Sequence, residues 1–478
     1  MIKMIRNYKG RNFLLLCLLW LGCKTQAPLQ NYGLKPLPAL FAHNLDSANS
    51  AQIKWRDFFS DKNLISLIDT ALFNNQDVLI TLQEIEIARS NVSFRNGLLF
   101  PKVSGGGALS IEKVGRFTSQ GAGDASAEIT PGNLVPELLP NFFFGIQTSW
   151  EVDVWGKLRN AKKAAFAKYL SSIEGKNFVV TNLVSEVANI YFELIALDNQ
   201  LEIIRETIKL QNNALDIVKI QKEASKASEL AVKQFEAQVF NSQSMEFEIA
   251  QKITESENKI NFLLGRFPQS VIRDKSSLSS VLPNQIKEGI PSQLLINRTD
   301  IKQAELELLA AKCDVQAARA EFYPSFDITG LLGLQAFKSA YLFTLPQSLA
   351  YSLFGDLAAP LINRSAIKAE FNKAKAYQIE AMAEYQKAIL NGFFEVSNEL
   401  SNINNLEKVY LLKSKQVDAL TKSIEVSDDL FKSGRADYLE VLMAQRDALE
   451  AKLDLVETKK RQLNAITNVY KALGGGWR

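Results

Sequence analysis

The 478-residue sequence contains very little histidine and cysteine. Its one histidine is His43, and its three cysteines, Cys17, Cys23 and Cys313, have neither a metal-ligand nor a disulfide spacing. The sequence therefore offers few residues for catalysis by histidine or for metal binding by cysteine. We expect no enzymatic activity and no cofactor. Cys313, in a helical pattern, is expected to be a small buried apolar residue. Lysine and arginine total 55 against 52 acidic residues, and no basic tract supports nucleic-acid binding.

The N-terminus has the composition of an export signal. Basic residues precede a short apolar run that ends at Gly22 and is too short to span a membrane. We therefore predict a signal peptide at residues 1–22. Leu-Gly-Cys at 21–23 resembles a bacterial lipoprotein box, in which Cys23 is acylated and becomes the mature N-terminus. The alternative is an ordinary signal peptide with an incidental cysteine, because Trp20 is larger than the aliphatic residue usual at its position.

Beyond the signal, the sequence contains no apolar run of the roughly 20 residues that a membrane-spanning helix needs. If the protein crosses a membrane, strands must do so. Proline is also absent from two long stretches, 156–224 and 365–433. As a helix, each stretch extends about 100 Å. Their length and periodicity predict two very long helices packed as coiled coils.

The chain carries an internal repeat. Residues of the first copy recur 209 positions later, as Gly265 recurs in Gly474. In the earlier part of each copy the offset is 223, so that Pro101 recurs as Pro324. The 14 extra residues must therefore lie between Pro101 and Gly156. A long tandem repeat indicates one body made of two equivalent halves.

Four segments alternate apolar and polar residues with period two. Each has about 10 residues, the length of a tilted membrane-spanning strand. An ordinary half-buried antiparallel sheet alternates in the same way, but four strands cannot close a barrel within one chain. The predicted strands are residues 101–113, 142–155, 325–336 and 348–362.

Shorter helices complete each copy. Helices predicted at 64–99 and 300–322 precede the strand pairs, and helices at 227–264 and 436–473 close the copies. Each copy thus contains a helix, two strands, a very long helix and a final helix. The predicted domains are the signal peptide 1–22, a lipidated linker 23–54, a first repeat 55–268, an inter-repeat linker 269–296 and a second repeat 297–478.

Three motifs on this duplicated frame indicate a family. They are Trp-Glu-Val-Asp-Val-Trp-Gly-Lys-Leu-Arg at 150–159, Ser-Gly-Arg-Ala-Asp-Tyr-Leu-Glu-Val-Leu at 433–442 and Tyr-Lys-Ala-Leu-Gly-Gly-Gly-Trp at 470–477. From Trp55 onward the chain resembles the TolC-like outer-membrane efflux proteins, and most closely their lipidated NodT-type branch. One departure is Ser365, where the second copy usually has glycine.

The resemblance implies a mixed α and β fold. Three chains would form an outer-membrane β-barrel, with four strands from each, that continues into a long periplasmic α-helical coiled-coil barrel. The homotrimer would conduct drugs or other small molecules passively to the exterior, in contact with outer-membrane lipid, a periplasmic adaptor and a proton-driven inner-membrane pump. The side chains expected to wet the barrel lumen are Lys102, Glu112, Gln147, Glu151, Asp153, Asp327 and Asp356.

The resemblance also assigns the two turns after the long helices as tips that dock the adaptor. Gly434 suits a turn that requires positive φ, and Ser228 or Asp437 can cap the next helix. Glu440 matches an acidic residue that rings the periplasmic entrance in related channels, and three copies would favour cations. Well-formed turns and a solvent-exposed glutamate remain the alternatives. The tip residues are Lys226, Ala227, Ser228, Gly434, Arg435, Ala436 and Asp437.

Three other functions remain open. The same resemblance covers channels for type I protein secretion, although lipidation and the tip motif favour drug efflux. A periplasmic coiled-coil spacer without a pore is opposed by the four amphipathic strands. A secreted enzyme would need a nucleophile and a base, and we can assemble no such pair from this sequence.

Overall fold

The predicted signal peptide, Cys23 and His43 lie outside the residues whose structure is described. The chain from Pro38 to Arg478 forms one compact unit. The structure, a computed structural model, describes residues 38, 41, 48–274, 287–360, 362 and 364–478.

Helices and strands follow one another in two similar series. In chain order the elements are α1 (Trp55–Phe58), α2 (Lys62–Asn74), α3 (Gln76–Gly97), β1 (Lys102–Glu112), α4 (Ser119–Asp124), β2 (Glu128–Thr130), β3 (Asn133–Leu134), β4 (Leu139–Glu151), α5 (Lys157–Glu223), α6 (Glu229–Leu263), α7 (Leu294–Asn297), α8 (Thr299–Ala320), β5 (Ser325–Ala336), β6 (Leu349–Ala358), α9 (Arg364–Lys432) and α10 (Tyr438–Ala472).

The two very long helices form where proline is absent. α5 has 67 residues and α9 has 69, so each extends about 100 Å at 1.5 Å per residue. α5 begins directly after Gly156, whose φ of 78° lies in the left-handed region that glycine adopts without strain. The predictions of long helices at 156–224 and 365–433 are confirmed.

The segment 64–99, predicted as a single helix, is instead two helices, α2 and α3. Asn75 lies between them with an extended backbone. Its side-chain oxygen accepts hydrogen bonds from the N–H groups of Asp77 at 2.9 Å and Val78 at 3.2 Å. Asparagine competes for backbone hydrogen bonds in this way, so it favours a helix start over a helix interior.

α5 is the central helix of the chain. Its first half packs against α3 and α8, and its second half packs against α6 and α10, while α9 packs against α8 and α10. Neighbouring helices therefore lie in the order α3, α5, α8, α9 near the sheet. Farther from the sheet the order is α6, α5, α10, α9.

The largest apolar core surrounds the middle of α5, where Tyr191 and Phe192 are fully buried. Phe58 stacks on Tyr470 with ring centroids 4.0 Å apart, so α1 and the end of α10 meet in this core. Within the described residues, α5 alone is apolar enough by length and composition to cross a membrane, and 67% of its apolar window is buried inside the protein. The expectation that no such run follows the signal was therefore wrong, because the core helix of a large bundle is equally apolar.

The two copies make equivalent contacts where α6 and α10 end. Gly265 and Gly474 have φ of 64° and 93°, in the left-handed region. A side chain on Gly265 would lie 2.5 Å from the carbonyl oxygen of Asn74, and one on Gly474 would lie 2.6 Å from that of Asn297. Only glycine fits these two positions, because both the backbone conformation and the close approach exclude a Cβ atom.

Four of the described strands form one antiparallel sheet in the order β1, β4, β5, β6. All four predicted strands are present, with shifted ends. β4 runs from Leu139 to Glu151 instead of 142–155, and β6 ends at Ala358 instead of at 362. The strand at 325–336 has the predicted bounds.

Asp153, predicted to face the lumen from the second strand, instead lies beyond that strand and caps α5. Its carboxylate accepts hydrogen bonds from the N–H groups of Leu158 and Arg159, both at 2.9 Å. It also pairs with the guanidinium of Arg159 at 3.0 Å. A helix N-terminus offers free N–H groups and a positive dipole end, which stabilise a carboxylate there.

The extra residues of the first copy lie in the connection between β1 and β4. This connection is residues 113–138, whereas the equivalent connection between β5 and β6 is residues 337–348. The difference is the 14 residues that the repeat offsets place between Pro101 and Gly156. The longer connection contains α4 and the small hairpin of β2 and β3.

Candidate functional site

One face of the four-stranded sheet exposes large apolar side chains. Phe144 and Ile146 of β4 are 56% and 49% exposed, and Leu332 of β5, opposite Ile146, is 54% exposed. Soluble proteins rarely leave a contiguous patch of this kind in water, whereas an apolar outer band is typical of a membrane barrel. The further exposed apolar residues of this face are Val103, Leu109, Ile111, Leu349, Tyr351, Leu353 and Leu357.

The opposite face brings three of the predicted lumen residues into one row. Asp327 of β5 lies directly opposite Glu151 of β4 and directly opposite Asp356 of β6. Opposed like charges repel each other, and the Lys157 ammonium, 2.7 Å from Glu151, offsets part of this repulsion. The strand register places the row at the end of the sheet where α5 begins. The remaining predicted residues, Lys102, Glu112 and Gln147, share this face.

A cavity of about 1100 Å³ lies along the first half of α5, beside α8 and α9. On α8, acidic residues recur every seven positions, with alanines at a second heptad position between them. Some of the charges are paired, as Lys168 lies 3.1 Å from Asp314. This stripe of acidic residues and alanines was not predicted, although its seven-residue spacing is visible in the sequence. The residues of the stripe are Asp300, Ala304, Glu307, Ala311, Asp314 and Ala318 of α8, and Glu321 directly after it.

Both long helices end in the same hydrogen-bonded turn. After α5, the N–H of Ser225 bonds the carbonyl of Lys222 at 2.8 Å, and that of Lys226 bonds Gln221 at 2.7 Å. After α9, Gly434 bonds Phe431 at 3.0 Å and Arg435 bonds Leu430 at 2.9 Å. This is the Schellman pattern, which needs a left-handed residue. The prediction of positive φ at Gly434 is confirmed, with φ of 69°.

The predicted caps behave differently in the two tips. The Ser228 hydroxyl accepts a hydrogen bond from the N–H of Ala231 at 3.2 Å, as predicted for a helix cap. Asp437 occupies the equivalent position, but its side chain makes no capping hydrogen bond. The first tip also contains an ion pair between Lys222 and Glu229.

The structure places all seven predicted tip residues in these two turns. Ala227 and Ala436 are half-buried, whereas the five others are exposed. Glu440 lies in the first turn of α10, is exposed, and donates its N–H to the carbonyl of Asp437 at 3.1 Å. The predicted gate residue therefore lies directly beside the second tip.

An apolar cluster, here named the tip cluster, packs the two tips together. Val441 of α10 is 1% exposed and contacts α5 and α6 within this cluster. The two tips were predicted separately, and their packing on one another was not predicted. The tip cluster consists of Leu215, Val218, Ala231, Val232, Phe235, Val239 and Val441, with Ala214, Ala227, Phe431, Tyr438 and Leu442 at its margin.

The described residues offer few groups for metal binding or thiol chemistry. They contain no group of three or more histidine, cysteine, aspartate or glutamate side chains that could hold a metal ion. Cys313 is half-buried, whereas a small buried apolar residue was predicted. Burial raises the pKa of the Cys313 thiol, which disfavours the reactive thiolate.

Comparison with known proteins gives one consistent relationship. The family model described as "Outer membrane efflux protein" matches residues 67–266 and 290–475. The pyoverdine export outer membrane protein OpmQ of Pseudomonas aeruginosa is 28% identical over 99% of this chain and 98% of its own. The probable outer membrane lipoprotein SilC of Salmonella typhimurium is 28% identical over 95% of this chain and 96% of its own.

A solved structure extends this relationship to the fold. The crystal structure of CusC superposes with a TM-score of 0.79 at 27% identity, covering 95% of this chain and 100% of that chain. The members of the matched family are outer-membrane efflux channels, which are transporters and not enzymes. Because the family model covers most of both repeats, the chain belongs to the outer membrane efflux protein family.

Proposed function

We propose that three copies of this protein form an outer-membrane channel that conducts small molecules passively from the periplasm to the exterior. The observation that carries the proposal is the open four-stranded sheet with an exposed apolar face. Its outer strands, β1 and β6, each pair on one side only. In lipid every strand edge must be paired, so closure needs further copies, and three copies supply twelve strands.

Exposed apolar stripes on the helices support assembly around a ring. On α3, Ile80, Ile87 and Phe94 recur every seven residues and are all more than half exposed. At the opposite edge of the helix row, Phe394 of α9 is also more than half exposed. An interface between two different edges is head-to-tail, and a head-to-tail interface that closes gives a cyclic oligomer.

The tips fit the role of an adaptor-docking entrance. They lie at the ends of α5 and α9 that are farthest along the chain from the sheet, and their charged residues are exposed. Arg435 makes no ion pair within the described residues, so its charge is free for a partner. Glu440 beside the second tip would give one carboxylate per chain at the entrance and favour cations there.

The membrane anchor and the pump are inferred from the sequence and the relatives. Cys23 follows a lipoprotein-like signal, and one relative is named a probable outer membrane lipoprotein. We infer acylation of Cys23, mature domains at 55–268 and 297–478 joined by the linker 269–296, and an inner-membrane pump driven by protons. Outer-membrane lipid would surround the strands.

The relatives' names do not select one substrate. They include proteins named for pyoverdine export, solvent efflux and cation efflux, which are chemically unlike. We therefore keep the substrate class as drugs or other small molecules. A type I secretion channel is the alternative, and a non-conducting spacer is disfavoured by the exposed apolar sheet face.

The proposal is tested by export in a cell that supplies the cognate adaptor and pump. Wild type should restore export, whereas Arg435→Glu should impair it and leave the yield of trimer in the outer membrane unchanged. Lys415→Glu, an equally exposed charge reversal on α9 away from the tip, is the control. Equal export by both variants would contradict docking at the tip, and a monomeric wild type would contradict the channel.

A further inference from the structure

The bundle near the tips contains a buried layer of polar residues. This polar layer consists of Gln211 of α5, Ser242 of α6 and Gln445 of α10, which are 0%, 0% and 7% exposed. Both polar atoms of the Gln211 amide, the Ser242 hydroxyl and the Gln445 amide oxygen have no hydrogen-bond partner within the described part of the chain. Burying such groups unpaired destabilises a packed state. Because one chain already encloses them, neither a second copy nor a docked protein can reach them.

Gln211 and Ser242 lie at one level of the bundle. Gln211 precedes the first tip residue Ser225 by 14 positions, and Ser242 follows Ser228 by 14. At 1.5 Å per residue, both lie about 21 Å from the tip. Gln445 lies nearer the start of α10 but occupies the same gap between apolar clusters.

The polar layer separates the tip cluster from a second apolar cluster, here named the middle cluster. The middle cluster consists of Leu197, Ile204, Ile249 and Leu449, with Leu201, Ile203, Ile208, Met245, Ile253 and Leu453 at its margin. On each helix the polar residue lies between the two clusters. The flanking residues are Ala214 and Ile208 on α5, Val239 and Met245 on α6, and Leu442 and Leu449 on α10.

We propose that the polar layer divides the bundle into two parts that open independently, and that the part between the layer and the tips opens first. Opening from the tips as far as the layer lets water bond the amides and the hydroxyl. Opening beyond the layer exposes the apolar side chains of the middle cluster, which costs free energy, so the separation stops there.

The seam that opens is the one between α10 and the pair formed by α5 and α6. α10 contributes only Val441, Tyr438 and Leu442 to the tip cluster, whereas α5 and α6 contribute most of its fully buried side chains. Separating α10 therefore exposes less apolar area than separating α5 from α6. This inference depends on the proposed function in one respect, which is that the movement of α10 is taken to open the channel entrance.

Amide hydrogen exchange of the purified full-length protein tests the proposal. In the triple variant Gln211→Met, Ser242→Ala, Gln445→Met, the unpaired groups are replaced by apolar groups of similar or smaller size. Exchange at 214–239 and 438–442 should slow by about tenfold. Exchange at 197–208 should not change. The matched control, Gln251→Met, Ser244→Ala, Gln416→Met, changes the same residue types at more exposed positions and should have no effect.

Two results would overturn the proposal. Exchange near the tips could remain at the wild-type rate, or it could slow equally on both sides of the layer. If the triple variant folds poorly, Ser242→Ala, which removes one hydroxyl, can be used alone. Exchange near the tips should then slow in the same region but by a smaller factor. Hydrogen exchange can be measured whether or not the protein conducts. A wild type that forms no channel would therefore contradict the proposed function without affecting the test of the polar layer.

Discussion

Ser225 and Gly434 have the same left-handed backbone conformation at the ends of the two long helices, with φ of 60° and 69°. They are 209 residues apart, which is the offset of the repeat. Each closes a Schellman turn, so the two tips share one backbone geometry despite different sequences. In the first copy the left-handed position is occupied by Ser225, whose Cβ atom makes this backbone conformation unfavourable. In the second copy it is occupied by glycine, which adopts it without strain.

Replacing Gly434 by alanine should loosen the second tip. A Cβ atom meets no neighbour there, so the effect is conformational and amounts to about 1 kcal/mol. Hydrogen exchange of the amides at 430–440 should accelerate by about fivefold. Ser423→Ala, at an exposed position of α9 away from the tip, is the control and should leave the rates unchanged. The reverse change, Ser225→Gly, should slow exchange at the first tip, and acceleration there would contradict the strain.

Arg298 should contribute strongly to the stability of the second repeat. Its guanidinium is 6% exposed and bonds Asp300 at 2.6 Å, Glu395 at 2.7 Å and the carbonyl of Ala472 at 2.8 Å. Asn75, its equivalent in the first copy, bonds only one such helix-end carbonyl. Arg298→Met leaves the acidic partners unpaired and should destabilise by about 3 kcal/mol.

Thermal unfolding followed by helical circular dichroism measures this effect, with the apparent Tm of Arg298→Met expected to fall by about 5 °C. Arg298→Lys should not restore the wild-type Tm, because the three ammonium donors of lysine cannot replace the four hydrogen bonds of the planar guanidinium. A wild-type Tm for Arg298→Met would show that the ion pairs add nothing to stability.

Ile87→Glu should weaken the trimer. Ile87 is the central residue of the α3 stripe and is 69% exposed in a single chain. A charge buried at a subunit interface is strongly unfavourable, so light scattering in mild detergent should detect monomers. Ser93→Glu, exposed on a different face of the same helix, should remain trimeric. If neither variant dissociates, the subunit interface lies elsewhere.

Glu440→Gln should reduce the cation preference of the channel and weaken block by multivalent cations. The physical reason is the loss of three carboxylates that would converge at the entrance. Folding should be nearly unchanged, because exposed helix positions tolerate such a change. Glu450→Gln, also exposed on α10, is the control in single-channel recordings. Unchanged selectivity and block in Glu440→Gln would remove Glu440 from the gate.

Cys23→Ala should abolish lipid attachment and leave the channel intact. Metabolic labelling with a fatty acid should mark wild type and not the variant. Because the strands would insert into the membrane without the lipid, the yield of assembled trimer should fall more than the conductance of each trimer. Unlabelled wild type would indicate an ordinary signal peptide.

The long elements could be predicted from the sequence because their signals are local. Missing proline delimits α5 and α9, and alternation delimits the strands. The break at Asn75 could not be seen, because the apolar pattern of α2 continues into α3. Asp153 was misplaced for a similar reason, since its role depends on where the strand ends.

Features that depend on strand register or on helix packing could not be predicted from the sequence of a single strand or helix. The carboxylate row of Glu151, Asp327 and Asp356 arises only when three strands pair. The polar layer of Gln211, Ser242 and Gln445 arises only when three helices pack. Ser225, in contrast, could have been found, because the repeat offset aligns it with Gly434.

Conductance of the purified protein in a planar lipid bilayer tests the central claim most directly. Wild type should give stepwise, cation-preferring conductance, and Val441→Ala, which weakens the tip cluster, should open more often. Protein shown to be trimeric that gives no conductance steps, in wild type and in Val441→Ala alike, would contradict the channel.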